Sequence, residues 1–292
     1  MTGENNEPRG VHVTLKNNGG SVQHYYHFLV GFVAPLVEHW DEIAAKAAGG
    51  PVYVRSCAVL DPLLEQLLLP GLRIIAPEEH AALATSGMAC LSFPGYDFPT
   101  LFDARAFGLV REKTLARLAA KIPAQPFKGA AILLVDRAPA AAFYSSDASE
   151  IKTAGAERRS ITNFEALSGA LRAEFPDAVA TALEGLSLYD QIGLFAAADI
   201  IICQHGAALT NLIWSKKTAF VIEIMPKELD GAHLRHEAFK EFTACLKLRY
   251  ARVRQESEHG LVDAGEFMTA VRAATKPEHK SLLSRLFQQR TR

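Results

Sequence analysis

The chain has 292 residues, a size that fits two domains or one large one. Apolar residues make up 49% and charged residues 22%, and 31 Lys and Arg against 32 Asp and Glu leave a net charge of −1. That balance excludes a disordered chain and a protein drawn onto nucleic acid by bulk charge.

The polar, acid-bearing first ten residues lack the basic and apolar regions of a signal peptide. Residues 11–15 predict a strand, Asn17 to Gly20 a turn, and residues 25–48 a long helix stopped by Gly49, Gly50 and Pro51. A strand at 52–54, a helix at 61–69, strands at 72–75 and 88–93 and a helix at 102–121 follow. Residues 123–129, with two prolines and a glycine, read as a linker. The alternation then restarts: strand 131–135, helix 161–174, strand 178–182, helix 187–197, strand 200–203, helix 207–214 and strand 219–224, closed by Pro226. Short apolar strands alternating with helices predict parallel sheets covered on both faces. The expected fold is α/β, with two Rossmann-like halves facing a cleft at the carboxyl ends of their strands.

Cys57, Cys90, Cys203 and Cys245 stand far apart and have no zinc spacing. They read as free, mostly buried thiols of a reducing compartment, and no metal site is expected. The apolar stretch at 200–215 is too short and polar to span a bilayer, so the chain reads as cytoplasmic. The segment 276–292 carries five Lys and Arg against one acid. It offers peripheral contact with an anionic membrane face, although a packed C-terminal helix is the plainer reading.

The stretch Ile200-Ile201-Ile202-Cys203-Gln204-His205-Gly206-Ala207-Ala208-Leu209-Thr210-Asn211 runs a buried strand through small residues into a helix. Helix N–H groups and the helix dipole there suit an anion such as a diphosphate, with His205 at the tip. It lacks G-x-G-x-x-G spacing, which counts against a dehydrogenase. Arg158 and Arg159 precede a helix that has Asn163 in its first turn, and adjacent arginines suit bidentate phosphate contacts. Glu223, near the end of a buried strand, can accept from a ribose hydroxyl pair. In the first half, His27 opens the long helix beside a glycine turn and is a general-base candidate. Asp103 is a second carboxylate placed to reach a cleft. Each of these also has a plainer reading as a cap, a core histidine or a solvated charge.

Tyr26-His27-Phe28 with Pro35-Leu36, Arg158-Arg159-x-Ile161-x-Asn163-x-Glu165, residues 191–198, the block from His205 to Asn211 and Glu223-x-x-Pro226 occur in order. Together they resemble glycosyltransferase family 61, most strongly over residues 158–226. The resemblance implies GT-B architecture, with an acceptor half at 1–125 and a nucleotide-sugar half at 126–292. It implies an inverting, metal-independent transferase that needs no cofactor. The donor is a nucleotide-sugar, expected to be a UDP-sugar, and the acceptor a glycan, polysaccharide or protein hydroxyl. Arg137, Arg158, Arg159, Asn163, His205, Gly206, Ala207, Ala208, Leu209, Asn211 and Glu223 would face the donor; His27, Asp103 and His205 would serve catalysis. Two positions depart from the family pattern. Ala208 stands where Gly is usual, and Gly31 where many relatives carry an acid. Gly31 motivates the alternative of a nucleotide-sugar-binding protein without catalysis.

Overall fold

A computed structural model describes residues 10–18, 20–127, 129–231 and 237–276. The expected C-terminal helix falls on residues 277–292, outside the described residues. The first sheet holds β1 (Val11–Lys16), β2 (Val52–Arg55), β3 (Leu72–Ile75) and β4 (Ala89–Pro94), all parallel, in the order β3-β2-β1-β4. The second holds β5 (Ile132–Asp136), β6 (Val179–Ala182), β7 (Ile200–Gln204), β8 (Phe220–Pro226) and β9 (Arg249–Gln255), also parallel, in the order β6-β5-β7-β8-β9. Both orders are Rossmann-like and reverse direction once, between β1 and β4 and between β5 and β7.

The helices are α1 (Ala34–Glu38), α2 (Trp40–Ala47), α3 (Asp61–Glu65), α4 (Pro77–Leu83), α5 (Ala104–Leu118), α6 (Gly155–Arg158), α7 (Phe164–Glu174), α8 (Leu188–Ala197), α9 (Ala238–Cys245) and α10 (Ala264–Thr275). Strands β5, β7 and β8 are buried almost throughout, as their unbroken apolar runs require. Residues 123–127 form neither helix nor strand. One buried cluster contains Phe28, Leu36 and Phe107 together with Leu133, Phe195, Trp214 and Phe242, so apolar packing continues across that segment.

Several elements differ from expectation. The long helix is split. His27–Val33 is π-helical, and His39 leaves the helical track before α2 begins. α3 ends at Glu65, four residues early, and α4 was not anticipated. Ala207–Trp214 winds as a tighter 3-10 helix. Beyond Pro226, α9, β9 and α10 complete the second layer. Cys57 and Cys203 are buried, and burial pushes both thiols up, whereas Cys90 is exposed. Among the described residues no helix is long and apolar enough to cross a membrane.

Candidate functional site

The carboxyl ends of the two sheets open onto one cavity of about 1120 Å³. The residues following β1, β4, β5 and β7 contribute Asn18, Asp97, Arg137 and Gly206 to its wall. Both points of strand-order reversal therefore face the same space, where open α/β sheets bind their ligands.

The first-half wall is built by an interrupted helix. Ala34 N–H bonds the Leu29 carbonyl five residues back. The next bond of that series would need an N–H at position 35, and Pro35 has none. The Val30 carbonyl instead accepts from Tyr96 N–H at 3.0 Å. This draws the loop after β4 against the π-helical segment and sets Asp97 beside His27. Asp97 Oδ2 lies 2.7 Å from His27 Nδ1. Asn18 donates to Oδ1 from its backbone N–H (3.0 Å) and its side-chain amide (3.2 Å). Burial raises the Asp97 carboxyl, but the bonds from His27 and Asn18 outweigh it and hold the group below the usual carboxylate range. A Cβ on Gly31 would stand 3.0 Å from Asp97 Cγ, so a side chain at 31 would press on this carboxylate.

His24 lies one turn before His27 on the same helical face, with ring centroids 5.8 Å apart. Its Nε2 is 2.8 Å from Arg158 Nη1. Arginine has no acceptor, so His24 is the acceptor and is neutral. Burial, reinforced by Arg158, His27, Arg137 and Arg159, pulls its pKa down to about 3. The unfolded chain then binds one more proton than the native one between pH 6.5 and 3. The His24 contribution to stability is complete above pH 6.5 and drains as pH falls through that window, by on the order of 1 kcal/mol per unit. His12 and His80 are also lowered, chiefly by burial, and add to the slope. Denaturant unfolding of wild type and His24→Asn between pH 7 and 4 should show a shallower slope in the variant, by about one proton. Equal slopes would contradict a neutral native His24.

Three guanidinium groups line the cavity. Arg137 follows β5 and donates to the carbonyls of His205 (2.8 Å) and Gly155 (3.4 Å). Burial, with Arg159 and Arg158 nearby, lowers its pKa to about 10. Arg158 ends α6. Arg159 donates to Glu258 at 2.7 Å. Among the described carboxylates, none lies within ion-pair distance of Arg137 or Arg158. Two cations on a half-buried wall, satisfied only by carbonyls and a neutral imidazole, suit an anion.

His205 enters the wall from the end of β7, with its Nδ1 2.7 Å from Glu223 Oε1. The Tyr250 hydroxyl and Arg252 guanidinium donate to the other oxygen of Glu223. Gly206 has φ +154° and ψ −172°, and a Cβ there would lie 1.8 Å from Arg137 Nη2. Ala207 and Ala208 continue the wall. Tyr25 Oη sits 2.8 Å from Gln191 Oε1 and 2.9 Å from Asn211 Oδ1, tying the start of the first-half helix to the second half.

His27, Arg137, Arg158, Arg159, His205, Gly206, Ala207 and Ala208 thus meet in one cavity. The other sequence-predicted residues stand behind it or apart from it. Asp103 is the N-cap of α5 and accepts from Arg105 and Ala106 N–H. Asn163 pairs with the backbone of Val262 through both ends of its amide. Leu209 and Asn211 are fully buried, the first in the core and the second beneath Tyr25. Glu223 is buried and committed to His205, Tyr250 and Arg252 rather than open to a ribose. Sequence reasoning missed Asp97 and the role of His24. Asp97 carried no local signal, because its partner is 70 residues away. Among the described residues no three His, Cys, Asp or Glu side chains come together as a metal set.

Comparison with known proteins gives one result that bears on this cavity. The family model described as Glycosyltransferase 61 matches residues 25–222, more than half of the chain. The match contains His27, Asp97, all three arginines and His205. Comparison with curated proteins finds no match.

Proposed function

Because the chain belongs to glycosyltransferase family 61, we propose that it moves a sugar from a nucleotide-sugar, taken as a UDP-sugar, to a hydroxyl of a glycan, polysaccharide or protein. The reaction in this reading is an inverting single displacement without metal. The observation that carries it is the arc of groups from Asp97 through His27 and His24 to Arg158, with Arg137 and Arg159 beside it. His27 takes the acceptor proton while the acceptor oxygen bonds to the anomeric carbon. The bond from that carbon to the diphosphate breaks, and the leaving group keeps the electron pair. Arg137, Arg158 and Arg159 meet the negative charge it gains. His205, fixed by Glu223, and the small residues 206–208 allow close approach of the diphosphate. Residues 126–292 serve the donor and 1–125 the acceptor, which enters past the apolar lip of Leu63, Phe98 and Pro99. A cytoplasmic setting suits a nucleotide-sugar donor.

A panel of nucleotide-sugars read by thermal shift tests the reading. A donor at about 100 times its Kd stabilises the native state by roughly 2.7 kcal/mol, a rise of several degrees. The expected result is such a rise with a UDP-sugar and none with NAD or NADP. No response to any nucleotide-sugar would overturn the proposal.

A further inference from the structure

We infer that Asp97 is the positioning residue of the base, supplying a carboxylate from the loop after β4 into space that Gly31 leaves open. The inference rests on the role given to His27 above. Asp97 has a fully buried side chain, yet one of its oxygens lies 2.7 Å from a cavity-lining imidazole that is about one-fifth exposed. A buried carboxylate needs compensation, and this one has it from three sources: His27, the Asn18 backbone and the Asn18 amide. Asn18 fixes the carboxylate, and the carboxylate fixes Nδ1 of His27 as the protonated nitrogen. That leaves Nε2 as the basic one. The carboxylate also stabilises the imidazolium that forms when the acceptor proton arrives.

Two glycines flank the pair. The His27 ring lies over Gly20, where a Cβ would come within 1.9 Å of Nε2. The Asp97 carboxyl lies over Gly31, where a Cβ would meet Cγ at 3.0 Å. The loop is held by Tyr96 N–H on Val30 and Gly95 N–H on Lys16. Positions 31 and 97 thus lie side by side next to His27, so that a side chain at 31 would crowd the Asp97 carboxyl.

Asp97→Asn, Asp97→Ala and the double variant Asp97→Ala/Gly31→Asp, made in the full chain, test this. Turnover is measured with the donor found above, and binding of UDP alone by calorimetry. Asp97→Asn should lower kcat by about 100-fold, the scale of impaired general-base catalysis, with UDP affinity unchanged. Formate should restore turnover to Asp97→Ala saturably and leave His27→Ala inactive. The double variant should regain part of the lost rate, since a carboxylate returns to the same volume. Wild-type turnover in folded Asp97→Asn, or a loss that formate and the double variant leave untouched while UDP binding falls, would overturn the inference. Absence of transfer by the wild type itself would overturn the proposed function instead.

Discussion

Arg158→Ala should lower kcat/KM for the nucleotide-sugar by about 100- to 1,000-fold, the loss met when one preorganised donor facing a developing anion is removed. Most of that loss should appear in kcat, because in the proposed reaction the diphosphate gains charge as its bond to the anomeric carbon breaks. The expectation comes from the partners of Arg158. Its guanidinium is held by His24, which is neutral and offsets none of its charge. Arg159 differs, since it already spends its charge on Glu258. Arg159→Ala should therefore cost less than Arg158→Ala. Arg158→Lys should recover part of the loss, keeping the charge but not the planar fork. Steady-state kinetics with varied donor checks all three variants. Unchanged binding and turnover in Arg158→Ala would remove it from the leaving-group role.

Gly206→Ala is the second large effect. The native φ and ψ there lie in a region that is nearly glycine-only, with a strain of about 1–3 kcal/mol for a residue with a Cβ. The added carbon would also stand 1.8 Å from Arg137 Nη2. That atom is the end of a flexible side chain, so the guanidinium can swing aside and the protein should still fold. It would then leave the His205 carbonyl and its place beside the cavity. The expected result is a modest fall in Tm and a fall in turnover of about 100-fold or more. Gly206→Ala in an Arg137→Ala background should add little to the kinetic loss, because both changes remove the same cation. Fully additive losses would show that Gly206 acts some other way.

The strands were legible because apolar runs such as Ile200 to Cys203 sit between turn residues, and the parallel arrangement followed from their alternation with helices. The π-helical segment was not. In HFLVGFV almost every position is apolar, so no face is marked and a period of 3.6 cannot be told from a longer one. β9 was missed because RYARVRQ reads as charged, although all seven of its residues pair in register with β8. The second-half wall of the cavity was visible where chemistry and chain continuity coincide, as at Arg158-Arg159 and His205-Gly206. The first-half wall depends on Asp97, which meets His27 only through tertiary structure. Glu223 and Asp103 illustrate the opposite failure. Both are acids at element ends, where a cap or a clamp on a neighbouring histidine looks the same in sequence as a ligand contact.

The short run from Gln23 to His27 also sets a length. Its backbone and side chains are fastened to the second half through the Tyr144 hydroxyl, the Glu150 amide, Arg158, Gln191 and Asn211. His24 touches the cation and His27 the carboxylate, three residues apart on one turn. The two contacts therefore cannot drift independently. In the proposed reaction, the span between the proton-accepting group and the group that faces the departing charge is ruled by the pitch of that turn. Any molecule converted here must fit its reacting atoms to that gauge.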